Sequence, residues 1–354
     1  MKKLFVFLFC TGKLLCLNGQ TSVTDYSGAT SPTHGVVYYL PQTAIDITAL
    51  SQLTIRKPGL FANYATRLLG VKEVITAETR QWQLTDLRLA ERAIADSTKA
   101  CLVNINAKSV ASLLTLDDNG VIRSVNMPVE QTVTLRELVT PTAADSVITF
   151  DLSQLGGEAL VASSIPKMAE LAAQQIYAIR ENRMELLSCN GNNIPDGESL
   201  KIMLARLDDA ERELVALFVG KTAILHTYKT FTFIPKQMQE SVLLFRFSDI
   251  LGTVTADNLA GRPIFLNING VSPPPLPPVD PKAKKEKTFG IFYNVPGKAH
   301  ITLTDGLTQR QELYCPMPQF GYTTHLPADM FDSSTIQVAF TPYGTLSSIS
   351  QKAR

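Results

Sequence analysis

The chain has few charged residues, little cysteine and no long apolar run, and each shortage narrows the classes of function. Only 18% of its 354 residues are charged, and 33 Lys and Arg stand against 32 Asp and Glu, for a formal net charge of +1. Nucleic-acid-binding domains usually carry a basic patch or stripe, so the composition predicts no nucleic-acid partner. Hydrophobic residues reach 45%, which is ample for folded cores at this length.

Motifs of catalysis and metal binding are also missing. The sequence has no CxxC, HExxH or GxSxG motif, and no GxGxxG motif on a strand-to-helix turn. Gly220-Lys221-Thr222 resembles the end of a phosphate-binding loop, but Val215 stands where that loop requires its first glycine. The sequence therefore predicts no catalytic residue, no cofactor and no bound metal.

The N-terminus has the order of a secretory signal peptide. Lys2 and Lys3 precede an apolar run at residues 4–10, and Gly19 offers a small residue for cleavage. We expect a signal peptide at 1–19 and an exported protein that is periplasmic or associated with the outer envelope. The run is shorter than the roughly 20 residues of a membrane-spanning helix, and no later segment is longer, so we expect no transmembrane span in the mature chain. Lipidation at Cys16 is a disfavoured alternative, because no small residue precedes it.

Three cysteines follow the predicted cleavage point: Cys101, Cys189 and Cys315. An exported protein meets an oxidising compartment, where a disulfide is permitted. Because the number of cysteines is odd, at least one thiol is outside any intramolecular disulfide. The sequence favours three unbridged cysteines over one bridge.

The fold class that the sequence predicts is α+β, in which β-rich modules of β-sandwich type flank a two-helix antiparallel hairpin. The predicted divisions after the signal peptide are an N-terminal β-rich domain at 20–130, a middle domain at 131–270, a linker at 271–288 and a C-terminal β unit at 289–354. The linker is rich in proline and lysine, which favour extended, solvated backbone.

The helical hairpin is predicted at 165–220. Pro166 suits a first helical turn, and a polar loop at 190–195 separates two amphipathic segments. The apolar stripes are Met168, Leu171, Ala172, Ile176, Ile179, Met184, Leu186 and Leu187 on the first helix, and Leu200, Met203, Leu204, Leu207, Leu214, Leu217 and Phe218 on the second. Each stripe requires burial against the other helix, a sheet or a partner.

Two short patterns concern the β-rich parts. Asn119-Gly120 favours a tight β-hairpin turn, and the acids that an EF-hand loop requires are absent around it. The same spacing from a glycine to a proline recurs at residues 35–41, 290–296 and 321–327. It suggests duplicated β modules, and chance recurrence is the alternative. Pro41, in the first of them, suits the end or the edge of a strand.

The histidines are scattered: His34, His226, His300 and His325 lie in β-rich or loop segments. Each is predicted to be structural. A cluster formed only in the folded chain, with an acid and a serine, stays open, because catalytic triads are defined by geometry.

Charged residues crowd the predicted helices. Asp208, Asp209, Glu211 and Glu213 suggest a metal or acid–base site, but Arg206 and Arg212 are interleaved with them, which favours a solvated helix face. Arg180 and Arg183 suggest an anion clamp, but Glu181 and Glu185 beside them favour surface ion pairs. Among the aromatic residues, Trp82, Tyr38, Tyr39 and Tyr64 are predicted to be core residues rather than a sugar-stacking platform.

Residues 38–70 resemble the opening of an uncharacterised exported bacterial family, domain of unknown function 4831. Residues 179–187 and 217–221 are similar to the middle of that family, and residues 289–302 to its C-terminal part. The resemblance covers most of the mature chain. It implies export and carries no known activity, so it transfers no catalytic residue.

The function that the sequence favours is an exported envelope protein acting as a non-enzymatic binding or structural module. A glycan or peptide hydrolase of the envelope and an assembly component that uses the helical hairpin are the alternatives. The sequence identifies no partner and leaves an envelope protein and a glycan open.

Overall fold

A computed structural model describes residues 22–26, 35–104, 114–128, 148–188, 197–276, 289–306, 308–331 and 335–351. Most of these residues form antiparallel strands, and the helices are concentrated in the middle of the chain, which confirms the predicted α+β class with a central helical hairpin. The strands are β1 Ser22–Asp25, β2 Gly35–Lys57, β3 Thr79–Asn104, β4 Leu114–Leu116, β5 Ile122–Val125, β6 Lys221–Phe233, β7 Gln239–Ser248, β8 Gly252–Val254, β9 Arg262–Ser272, β10 Phe289–Asp305, β11 Thr308–Pro327, β12 Ile336–Phe340 and β13 Leu346–Gln351. The helices are α1 Ala65–Leu69, α2 Gly157–Leu160, α3 Ile165–Ser188 and α4 Gly197–Val219, with 3-10 turns at Ala62–Tyr64 and Ala328–Phe331.

The strands form three sheets. The first sheet has the order β1-β3-β2-β6, the second β11-β10-β9-β7-β8 and the third β13-β12-β5-β4. Two long hairpins dominate the first two sheets, β2 with β3 and β10 with β11. Alternate residues of a strand point to opposite faces, so each long strand offers one apolar face to the interior.

The largest core lies between the first and second sheets. Ile45 and Ile47 of β2 pack with Phe245 of β7 and with Ile301 and Leu303 of β10. Side chains also join the two sheets. Thr43 donates its backbone N–H to Gln319 Oε1 (3.0 Å), and Gln319 Nε2 donates to the Thr43 carbonyl (2.9 Å). Thr43 pairs with β3 on one side, and the Gln319 amide satisfies its backbone on the other side, where the pairing with β6 begins only at Ile45.

The predicted domain ranges contribute strands to shared sheets. β2 pairs with β6 from Ile45↔Phe233 to Lys57↔Lys221, and β5 pairs with β12. β9 and β10 flank the predicted linker and are neighbours in the second sheet. The ranges 20–130, 131–270 and 289–354 therefore do not each form a sheet of their own, and where the folding units begin and end stays a prediction.

The short hairpin of the third sheet has the predicted turn. Asp117 Oδ1 accepts hydrogen bonds from the backbone N–H groups of Asn119 and Val121, both at 2.9 Å. Gly120 has φ 76°, which a glycine adopts without a steric penalty. The turn joins β4 to β5, so the β-hairpin interpretation of Asn119-Gly120 is confirmed.

The half of the helical hairpin that lies away from its connecting loop packs in a separate core. Ala172 and Ile176 of α3 meet Leu214 and Phe218 of α4, together with Phe61. Phe61 and Phe218 lie 5.2 Å apart between ring centroids. The residues that join the two helices, 189–196, lie outside the described ranges. In the described part of the chain, no helix is long and apolar enough to cross a membrane.

Candidate functional site

The three described histidines do not converge. His226 lies on β6 of the first sheet, and His300 and His325 lie on β10 and β11 of the second. His300 contacts Glu312 at 3.1 Å, whereas His325 packs against Phe292, which is eight residues from His300 along β10 and so roughly 25 Å away. A shared catalytic cluster of these three histidines is therefore ruled out. His34 lies outside the described residues.

Arg180 and Arg183, for which an anion clamp was the disfavoured alternative, are paired with acids of the facing helix. Arg180 Nε lies 2.7 Å from Glu211 Oε1, and Arg183 lies 2.6 Å from Asp208 Oδ1 and 2.9 Å from Glu211 Oε2. The hydrogen bond to Asp208 and the charge of Glu211 raise the pKa of Arg183. The ion-pair interpretation of these arginines is confirmed, with partners across the hairpin rather than on the same helix.

The other helical acids also have separate partners. Asp209 pairs with Arg212 at 2.7 Å, and Glu213 pairs with Lys221 at 2.6 Å. Lys221, the lysine of the phosphate-loop-like tripeptide, also donates to the Thr149 carbonyl at 3.2 Å. Within the described ranges, no group of three or more His, Cys, Asp or Glu side chains is placed to hold a metal ion.

Three of the aromatic residues singled out from the sequence, Tyr38, Trp82 and Tyr64, lie in three different apolar clusters. Tyr38 is fully buried; its hydroxyl accepts a hydrogen bond from the Phe292 N–H (2.8 Å) and donates one to the Phe292 carbonyl (3.2 Å). Trp82 is half-buried in a small cluster with Leu53 and Leu225. These positions confirm Tyr38 as a core residue and Trp82 as largely a packing residue.

Cys101 and Cys315 are both buried thiols. Burial, with a smaller effect from the charge of Glu91, raises the pKa of Cys315 to about 12. A thiol with so high a pKa is a poor nucleophile at neutral pH. The prediction of unbridged cysteines is confirmed for these two, and Cys189 lies outside the described residues.

Two buried carboxylates join strands, and the sequence analysis missed both. Asp46 of β2 accepts two hydrogen bonds from Arg92 of β3 (2.9 and 3.2 Å) and one from Thr232 of β6 (2.6 Å). Asp305 lies 3.0 Å from Arg310 and 3.5 Å from Arg262. A signal for Asp46 was available: a single acid within an apolar strand must be buried with a partner.

A groove lies beside Arg310, which is paired with Asp305. It has a volume of about 160 Å³ and is lined by residues 84–87 of β3 and by Arg310. Sites for small molecules usually measure about 300–1,000 Å³. Arg310 is also held by Asp305, so the groove is too small and too fully paired to be the primary site.

The distal half of the helical hairpin presents the feature that most resembles a binding surface. The ion pairs of Arg180 and Arg183 set the register of the two antiparallel helices. Beyond these pairs, toward the connecting loop, large apolar side chains are exposed: Met184 (66% exposed), Leu187, Ile202 (56%) and Met203. We call these four residues the distal surface. Met184, Leu187 and Met203 belong to the apolar stripes, which are therefore covered only in part, whereas Ile202 lies off the stripe of α4.

Charged residues flank the distal surface with opposite signs. α3 carries exposed Glu181 and Glu185, and α4 carries exposed Lys201 and Arg206. In the ranges that the structure describes, none of these four takes part in an ion pair. The surface is therefore apolar, with acidic residues on α3 and, on α4, basic residues in the same stretch as exposed Glu198. The stripes that the sequence predicts include Met184, Leu187 and Met203 but not Ile202.

The fold and this surface define a class: a β-rich α+β protein whose antiparallel sheets carry a helical hairpin with an exposed apolar end. The chain matches the model of a family described as a domain of unknown function, DUF4831, over residues 34–346. It therefore belongs to that family. No curated protein and no solved structure gives a significant match.

Proposed function

We propose that the protein is an exported, non-enzymatic binding module of the cell envelope, and that it binds another envelope protein through the distal surface. The exposure of Met184, Leu187, Ile202 and Met203 carries this proposal. Export is supported by the N-terminal sequence, in which a lysine pair, a short apolar run and a small residue follow one another.

The composition of the distal surface favours a protein partner. Methionine is flexible and polarisable, and it is frequent on surfaces that accept varied apolar partners. Two adjoining helices form a shallow groove in which an amphipathic helix can lay its apolar face. Glu181 and Glu185 of α3, with Lys201 and Arg206 of α4, favour a partner helix that carries charges of both signs beside its apolar face.

Site-specific photo-cross-linking in the native envelope tests the proposal. A photoreactive amino acid replaces Met184 or Ile202 in the full-length protein, and cross-linked products are identified by mass spectrometry. The control places it at Leu259, which is 82% exposed in the loop between β8 and β9. We expect one envelope protein to be captured from positions 184 and 202 and to be absent from the Leu259 control.

Introducing charge into the distal surface gives a second measurement. Met184→Glu with Ile202→Glu removes two exposed apolar contacts and leaves the buried core of the hairpin intact. We expect the cross-link to be lost while the urea midpoint of unfolding is unchanged. Capture of a second copy of this chain, or equal capture from the Leu259 control, would contradict a specific envelope-protein partner.

Export is tested separately. Cell fractionation with N-terminal sequencing of the mature protein is expected to find it in the envelope fraction, beginning at Gln20. A cytoplasmic chain that retains Met1 would contradict export.

A further inference from the structure

We infer that the outer face of the second sheet holds a binding site for a neutral saccharide, centred on Tyr314. This inference concerns a different face of the molecule from the distal surface and does not depend on the proposed protein partner.

Successive side chains of β10 and β11 alternate between a core face and an outer face of the second sheet. Ile301, Leu303 and Cys315 point into the core shared with the first sheet. Their neighbours His300 and Tyr314 therefore point outward, because successive side chains of a strand lie on opposite faces.

Strand register places polar and aromatic residues in rows on this outer face. Tyr314 of β11 is directly opposite His300 of β10, and His300 is opposite Asn269 of β9. The next row consists of Glu312, Thr302 and Asn267 on the same three strands. Side chains in such rows stand about 5 Å apart, which is close to the width of one sugar ring.

Tyr314 is exposed yet held in place. Its side chain is 71% exposed, and its ring stacks on His300 with centroids 4.2 Å apart and planes 10° apart. His300 Nε2 lies 3.1 Å from Glu312 Oε2, which also accepts a hydrogen bond from Gln309 (3.4 Å). One face of the tyrosine ring is thus supported from behind and the other faces solvent, so binding would cost little side-chain entropy.

The chemistry of the two rows fits a sugar better than an ion. A pyranose ring has a face of C–H groups that packs on an aromatic ring, whose face is electron-rich. Its hydroxyl groups both donate and accept hydrogen bonds. Glu312 supplies exposed acceptor oxygens, and the Asn269 amide supplies one acceptor and two donors.

The surrounding residues sharpen this assignment. Asn267 accepts from the Ser241 N–H (2.7 Å) and donates toward Thr302 (3.4 Å). Asn267 therefore holds the row in place, while Tyr314, Glu312 and Asn269 make the contacts with the sugar. Glu312 contacts His300 (3.1 Å), and the exposed Lys298 lies two residues from His300 on the same face of β10. The face therefore carries no strong charge of one sign, and an uncharged saccharide is the ligand class it fits.

The test is direct binding of the purified full-length protein to uncharged oligosaccharides. The probes are maltohexaose, cellohexaose, mannohexaose, xylohexaose and chitotetraose, examined by saturation-transfer NMR and then by isothermal titration calorimetry. We expect at least one of them to bind, and Tyr314→Ala to weaken that binding by about tenfold or more, since aromatic anchors commonly dominate binding energy.

Two further variants separate a site from a folding defect. Tyr314→Phe keeps the stacking ring, so its affinity should stay within about threefold of wild type. Tyr177→Ala removes a half-exposed tyrosine on α3 and should leave affinity unchanged. No binding of any probe overturns the inference, as does wild-type affinity in a folded Tyr314→Ala variant.

Discussion

Asp46 shows how a single buried charge joins three strands. Its side chain is almost fully buried, whereas Arg92, which it pairs with, is 44% exposed. Asp46→Asn removes the charge and weakens the hydrogen bonds to Arg92 and Thr232. Arg92 can turn toward water, so the cost should be less than for a fully buried pair, about 1–3 kcal/mol of unfolding free energy. Urea denaturation monitored by circular dichroism measures this change.

Asp118→Asn is the matched control for that variant. Asp118 is exposed in the turn between β4 and β5, and surface substitutions usually change stability by less than about 0.5 kcal/mol. Equal effects of the two substitutions would show that the buried position of Asp46 does not matter.

Cys315 and Tyr343 make stability depend on pH in the alkaline range. Burial, assisted by the charge of Glu91, raises the pKa of Cys315 from 9.0 to about 12 and that of Tyr343 from 10.0 to about 12. Above about pH 9 the unfolded chain releases these protons while the folded chain keeps them. The unfolding free energy therefore falls as pH rises from about 9 toward 12.

Cys315→Ala tests the share of that pH dependence that belongs to the thiol. Urea unfolding at about pH 8, 9 and 10 gives the slope of unfolding free energy against pH. We expect the variant to be less stable at about pH 8, because a buried atom is lost, and to have a shallower slope between about pH 9 and 10. An unchanged slope would show that Cys315 ionises alike in both states.

At the scale of elements, the helical hairpin is held at its midpoint by Glu211. This carboxylate is largely buried and accepts contacts from both Arg180 and Arg183. Glu211→Gln removes the charge that Arg180 and Arg183 share and leaves Asp208 paired with Arg183, and we expect a loss of about 1–2 kcal/mol. Hydrogen exchange should increase in the distal parts of α3 and α4, because the register of the helices loses its main polar contact.

Asp209→Asn is the control on the same helix. The pair of Asp209 with Arg212 is exposed on both sides, and such pairs contribute between about 0 and 1 kcal/mol. Faster exchange after Asp209→Asn than after Glu211→Gln would contradict the role assigned to Glu211.

Local elements could be predicted where local chemistry decides them. The helical spacing of apolar residues, such as those around Ile176 and around Leu214, indicated the two helices, and Asn119-Gly120 indicated the tight turn. Both signals act over a few residues. Pro41 was expected at a strand end or edge; it lies inside β2, in a stretch that β6 does not pair, since β6 joins only from Ile45. A register shift between Tyr39 and Pro41 accommodates its missing N–H, and that bulge depends on the partner strand.

The recurring Gly-to-Pro segments are another case in which the sequence pattern does not indicate which strands pair. They lie in β2, β10 and β11, and the segments of β10 and β11 pair with each other from Phe289↔Pro327 to Val295↔Tyr322. Asn294 of β10 also donates to the Pro41 carbonyl at 2.9 Å. The three segments therefore meet in one region, and their origin by duplication stays a hypothesis.

The site residues were harder to predict than the elements for a physical reason. Tyr314 becomes a candidate only when β10 sets His300 directly opposite it, a pairing of residues fourteen positions apart with a bulge in between. The partly exposed distal surface depends on how much of each stripe the rest of the protein covers. A periodic pattern indicates which face is apolar, but it does not indicate what lies against that face.

At the scale of the whole molecule, the core between the first two sheets should make them unfold together. Phe245 of β7 is fully buried there and stacks on Phe231 of β6 with centroids 4.5 Å apart. Phe245→Ala should cost about 3–5 kcal/mol and should lower hydrogen-exchange protection in both β2 and β10. Each sheet covers the apolar face of the other, so neither keeps its protection alone.

Phe218→Ala is the matched comparison, because it makes the same change in the separate core of the helical hairpin. We expect its largest loss of protection in α3 and α4, with β10 less affected than by Phe245→Ala. If Phe245→Ala instead loosened β10 and left β2 protected, the two sheets would be independent folding units. Their polar link through Thr43 and Gln319 would then be a contact between units rather than part of one core, and the predicted boundary near residue 270 would gain support.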